Sequence, residues 1–279
     1  MWRRAFLAFG LVLCWRTTVV AAELTADDAV RLALRANLAS AGAHGAPEAN
    51  APTAMTQLVE DARGAWFRAI AARQAQAVLS DVRETLDLAA EFATSLRAAG
   101  NLSALDLMRH QALQAETAAA FALLRTDLQL EQERLAYLVG MGPEQLSLPA
   151  ALAEVPASPA PAPATADMTP DTRWSVRTAY LRYVAAHERA LTYRDKIVPL
   201  RRAITEETML RFNGMLVDVF ALLTDARERS TAKLAAIEAQ RDFWLAENAL
   251  RFAEVIDHEP HEAPALTPAL PDGGNGGGH

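Results

Sequence analysis

The side chains best suited to chemistry in this 279-residue chain are the histidines and carboxylates near its C-terminal end. His258, His261 and His279 stand among Asp257, Glu259 and Glu262. Imidazole and carboxylate together suit copper or a similar cation, but here they lie in a Pro- and Gly-containing tail, where a site would be unformed and weak. His110 and His187 each stand alone in helical runs, with no partner at metal-ligand spacing, and read as packing or surface residues. The single cysteine, Cys14, lies near the N-terminus, so no thiol nucleophile follows it. There is no Gly-rich phosphate loop and no His-Glu-x-x-His run. Glu206-Glu207 and the group Asp225, Arg227, Glu228 and Arg229 read as solvated helix faces with i,i+4 pairing. Neither an enzyme nor a cofactor is implied.

The stronger signal is one of recognition. Gly100 and Gly214 each interrupt a long helical run, and related phrases follow them. With one residue of offset, Leu105-Asp106-Leu107-Met108 lies over Phe220-Ala221-Leu222-Leu223, which is an internal repeat. Glycine is poor inside a helix and good just past its end, so each Gly is expected to end one helix and turn the chain back. The candidate docking residues at these tips are Gly100, Asn101, Leu102, Ser103, Leu105, Gly214, Met215, Leu216, Val217 and Phe220. Apolar side chains such as Leu102, Met215 and Leu216 at a solvent-facing turn call for a partner. The plainer reading is that these residues turn the chain, with Ser103 as an N-cap.

Long helices must position those tips. Between Met55 and Ala99 apolar residues recur every three to four positions, and Ser103 to Val139 returns the same way. Gly140-Met141-Gly142-Pro143 ends the return. Six prolines between Pro149 and Pro170 give an extended stretch that separates two halves. Arg173 to Phe212 and Leu216 to Ile256 repeat the plan, with Pro199 expected to kink the first of them. Leu24 to Leu34 reads as a short helix capped by Thr25, and Ala39 to Ala54 as a linker. The predicted fold is all-α: two long antiparallel hairpins of coiled-coil or α-barrel type with an internal repeat, a short N-terminal helix and a disordered C-terminal tail. The expected divisions are 1–22, 23–148 with its tip near 100, the linker 149–171, 172–256 with its tip near 214, and the tail 257–279. The apolar stripes are broader than one partner helix can cover, which predicts oligomerisation.

Residues 1–22 carry a basic start, a short apolar core and small residues before Glu23, the pattern of a secretory signal cleaved after Ala22. The rival is lipidation at Cys14, although Leu13 is larger than that motif wants. Cleavage would remove three arginines and no acid, taking the net charge from -7 to -10 (-7 - 3). Such an acidic chain is a poor nucleic-acid binder. No further apolar run approaches the ~20 residues of a membrane helix.

These phrases resemble the TolC-like outer-membrane efflux family. The carrying residues are Leu24 to Leu34, the tip Ala99 to Asp106, and Leu135-Ala136-Tyr137-Leu138-Val139-Gly140. Tyr193 to Arg201, Arg211 to Leu216 and Glu238 to Ala246 resemble a subgroup often found beside copper-resistance genes. The resemblance implies a homotrimeric channel in the outer membrane, whose helical tube reaches into the periplasm. It also implies that the tips meet the periplasmic adaptor (membrane fusion protein) of an inner-membrane pump. Exported metal ions or toxic small molecules would be the cargo. In that family a membrane-crossing β-hairpin lies between each opening helix and its long hairpin. Here Ala39–Ala54 and Ala150–Asp171 occupy those places, and neither supplies two strands of ~9–11 alternating residues. Two readings follow: an efflux component, or a shortened periplasmic bundle with an accessory or metal-binding role.

Overall fold

The structure, a computed structural model, describes residues 23–44 and 51–255. It is all-α, with no strand among the described residues. Helix α1 spans Ala26–His44, α2 Ala51–Ala98, α3 Ala104–Val139, α4 Pro170–Thr192, α5 Val198–Asn213 and α6 Val219–Val255. One 3₁₀ turn, Pro143–Gln145, follows α3. A π-helical turn, Tyr193–Ile197, joins α4 to α5.

Local chemistry explains most of the boundaries. Thr25 Oγ1 accepts the Asp28 backbone N–H at 3.1 Å and opens α1. Ser103 does the same for Asp106 at 3.0 Å and opens α3. Gly140 closes α3, with Met141 N–H donating to Ala136 O at 3.0 Å. A Cβ on Gly140 would stand 3.1 Å from Ala36 Cβ, so its bareness also lets α1 pass close. Thr169 caps α4, and Pro170 fills its first turn, where a missing N–H costs nothing.

One sequence expectation is corrected. The stretch 39–54 is not a linker throughout: α1 runs on to His44 and α2 already begins at Ala51. Alanine is the best helix former, and Pro52 suits a first turn, so Ala/Pro content there is compatible with helix. Pro199 lies within a continuous helical path, and the disturbance it causes is a π turn just before it. A widened turn accommodates the carbonyl that proline cannot serve.

The helices pack in the order α3, α2, α6, then α4 and α5, with α1 over α2 and α3. The result is an open layer with α3 at one edge and α4/α5 at the other. Its core lies more than about 25 Å from the tips, at 1.5 Å per residue. One cluster centres on Ala65, Ile70, Leu135 and Val139, with Leu234 and Ile237 from α6. The other holds Val176, Tyr183, Ala239, Phe243 and Leu250. A row of rings links them across the layer. Phe67 stacks on Trp244 at 5.7 Å, Trp244 meets Phe243 at 5.0 Å, and Phe243 meets Tyr183 at 5.4 Å. Fully burying a side chain such as Phe243 contributes ~1.5–3 kcal/mol. By contrast α5, on the tipward side, has no buried residue.

The proline-rich stretch is a strap docked on this core. Leu148, Leu152 and Val155 are buried. Its backbone carbonyls accept side-chain donors from three helices. Gln240 donates to Ala153 O at 2.7 Å, Trp244 Nε1 to the same oxygen at 3.0 Å, and Arg194 to Val155 O at 2.8 Å. Arg73 donates to Leu148 O. Buried His187 sits with Nε2 2.8 Å from Pro156 O, and the Tyr183 hydroxyl accepts Ala160 N–H at 2.9 Å. His187 is thus a packing residue with a definite task.

Candidate docking tips

Both tips are built by the same backbone device. After α2, Asn101 N–H reaches back to Leu96 O at 2.9 Å, and Gly100 between them takes φ +80°. After α5, Leu216 N–H reaches back to Arg211 O at 2.9 Å, and the left-handed residue is Met215, φ +57°. These are six-to-one closures around one left-handed position. The sequence expectation for Gly214 is therefore corrected. Gly214 has φ -81° and ψ 4°, a conformation any residue adopts, and a Cβ there would meet nothing closer than 3.5 Å. Gly100 corresponds to Met215, not to Gly214, which explains the one-residue offset in the repeat. The equivalence continues: Ser103 caps Asp106 N–H, and Asp218 accepts Ala221 N–H at 2.9 Å.

Met215 is the only non-glycine with positive φ among the described residues, and it is 93% exposed. A left-handed residue with a Cβ costs roughly 1–2 kcal/mol. Leu216 is 77% exposed. Leu105 and Phe220 are exposed, and so are Gly100, Asn101, Ser103 and Gly214. Leu102 and Val217 are half-buried. Met108 and Leu210 add exposed apolar surface at the same end. Sequence reasoning passed over them, although Met108 stands one turn after Leu105.

Behind the tips the two hairpins meet. His110 of α3 is buried, and its ring lies 5.5 Å from that of Phe220 on α6. Its Nδ1 is buried with no hydrogen-bond partner. Asp225 is also buried, with Oδ2 unpaired, so it does not belong to a solvated face. Glu206 and Glu207 do behave as helix-face pairs. Arg202 meets Glu206 at 2.8 Å and Arg211 meets Glu207 at 2.9 Å, while Glu228 pairs across helices with Arg201. At the bulge, the Arg194 guanidinium holds the Asp195 carboxyl below the usual carboxylate range.

No group of His, Cys, Asp and Glu able to hold a metal exists among the described residues. His258, His261 and His279, like Cys14 and the signal-like segment 1–22, lie outside them. No described helix is long and apolar enough to cross a membrane.

The architecture is one of long antiparallel helical hairpins, closed by paired turns at one end and packed into an open layer. Among solved structures, the outer-membrane channel OprN is similar to it, with TM-score 0.58 and 16% identity over 82% of this chain and 69% of that one. A membrane protein from Pseudomonas aeruginosa is similar too, with TM-score 0.53 and 14% identity over 81% of this chain and 72% of that one. At these identities the likeness is one of fold. No protein-family profile matches the chain, and no curated protein matches it in sequence.

Proposed function

We propose that this protein is the periplasmic helical part of an outer-membrane efflux component, which docks an adaptor of an inner-membrane pump through its two hairpin tips. The carrying observation is the pair of equivalent turns that present Met215, Leu216 and Leu105 to solvent at one end of the molecule. Apolar side chains held outward on a constrained backbone suit a helical partner tip. The channel fold of OprN supports the same reading, and metal ions or toxic small molecules are the proposed cargo.

Assembly is part of the proposal. Leu123, Leu130 and Tyr137 recur every seven residues on α3, and Tyr137 is 85% exposed. At the other edge Trp174 and Leu181 are also seven apart, and Trp174 is 72% exposed. Heptad-spaced apolar residues on two different edges suit head-to-tail pairing of copies into a closed ring, with three as the expected number.

We further propose that the chain lacks the membrane barrel. Only residues 45–50 separate α1 from α2, and the strap fills the space between α3 and α4. Six residues cannot form two strands of ~9–11. This favours a second reading, a periplasmic accessory bundle without its own pore.

The test is capture of the cognate adaptor by the chain and by Leu105→Asp/Leu216→Asp. Docking at the tips requires loss of capture with unchanged helix content, because a charge would have to be buried. Equal capture by both proteins would reduce the tips to chain-turning devices. Fractionation then separates the two readings: outer-membrane association supports the efflux component, and free release with the periplasm supports the accessory bundle.

A further inference from the structure

A cleft of about 430 Å³ lies between the two hairpins on the tipward side, walled by α2 and α5 and floored by α6. The volume falls within the range of small-molecule sites, about 300–1,000 Å³. Its interior is apolar, with Val82 from α2, Met209 from α5 and Leu222 from α6. Phe92 and Phe212 meet edge to face at 6.5 Å and bridge the two walls at the tipward end. From Phe92 back to Val78 the trough runs roughly 20 Å, at 1.5 Å per residue.

The end away from the tips is basic. Half-buried Arg229 and Lys233 line it, and exposed Arg227 stands on the rim. None of the three enters an ion pair among the described residues, whereas Arg201, Arg202 and Arg211 on α5 pair with Glu228, Glu206 and Glu207. Among the described residues Asp81 is the single acid of the lining, and it is exposed and forms no ion pair with them. The acids of α5 and the nearby Glu228 are thus engaged elsewhere, and the cleft keeps surplus positive charge in a chain of net charge -7. An apolar trough that ends in unpaired cations is complementary to a molecule with a hydrocarbon body and one anionic head.

We propose that this cleft binds an amphiphilic monoanion, its apolar body between α2, α5 and α6 and its carboxylate or sulfonate against Arg229 and Lys233. A medium-length acyl chain fits within the length of the trough. The proposal goes beyond efflux and does not depend on it, because binding is a property of the chain without adaptor or pump.

Titration of the full chain with dansyl-undecanoic acid and with its methyl ester, followed by dansyl fluorescence, tests it. Charge-assisted hydrogen bonds predict that the acid binds at least about tenfold more tightly than the ester. Arg229→Glu/Lys233→Glu is expected to remove that difference while leaving ester binding in place. Ala226→Phe fills the floor and is expected to abolish binding of both probes. Circular dichroism checks the fold of each variant, and Leu222→Trp replaces Ala226→Phe if the latter does not fold. Equal affinity for acid and ester, insensitivity to a folded cleft-filling variant, or no saturable binding would each overturn the proposal. Failure of adaptor capture by the tips would leave it standing.

Discussion

Single residues decide how the tips are made, and they make separable predictions. Gly100 needs a left-handed backbone, so Gly100→Ala should destabilise the protein by roughly 1 kcal/mol, although no atom stands within 4 Å of the new methyl group. Gly214→Ala meets ordinary contacts at φ -81° and should stabilise it by about 0.4–1 kcal/mol through the unfolded chain. Met215→Gly should relieve a left-handed Cβ and raise stability by roughly 1 kcal/mol. Urea unfolding followed by circular dichroism measures all three, and the opposite order for the two glycines would refute the turn assignment. Glu60 supplies a pH test. Burial pushes its carboxyl above the usual range, Asp61 adds to this and Arg68 opposes it. The folded state therefore disfavours the charged form, and the penalty is present above the folded pKa and gone below the unfolded one. Glu60→Gln should raise the melting temperature at pH 7, with a gain that shrinks as pH falls through the carboxylate range.

At the scale of elements, the strap adds a second tie between two hairpins that already pack through α2 and α6. Leu152→Ala should cost about 2–5 kcal/mol, as a buried leucine does, and Gln240→Ala about 1 kcal/mol for a neutral hydrogen bond. Pro161→Ala, on its exposed side, should change stability by less than about 0.5 kcal/mol in the same thermal melts. A similar loss at all three positions would contradict a strap anchored by its buried residues. The hairpins and the repeat were legible in the sequence because 3.6-residue periodicity and turn glycines are local signals. The strap was not. Leu152 and Val155 are isolated among alanines and prolines, and the partners of Leu152 and Ala153, namely Gln74, Gln240 and Trp244, lie many tens of residues away. The extension of α1 to His44 was hidden for a related reason: an Ala-, Gly- and Asn-containing stretch suits helix and loop alike. Met215 escaped notice as the left-handed residue because the neighbouring glycine is the better sequence candidate. Asp225 reads as a surface acid until packing encloses it.

For the whole molecule, the contrast is between a packed far end and a lightly covered tipward half. Hydrogen exchange should reflect it, with slow amides in α2 near Ile70 and in α6 near Phe243, and faster ones in α5, which buries no residue. Uniform protection along α5 and α6 would contradict this. Assembly predicts that Leu130→Glu on α3, or Leu181→Glu on α4, each lowers the sedimentation coefficient to that of a monomer. Unchanged sedimentation of both variants would exclude these edges from the contact. The two edges are different surfaces, and that has a consequence for mixtures. In the proposed ring, a copy spoiled at one edge would still accept a neighbour at the other, yet it could never pass the ring on. In the proposed ring of three such a copy would act as a chain stopper: a minority of it would poison a majority of complexes, and a cell carrying both versions would behave more like the defective one than their ratio suggests.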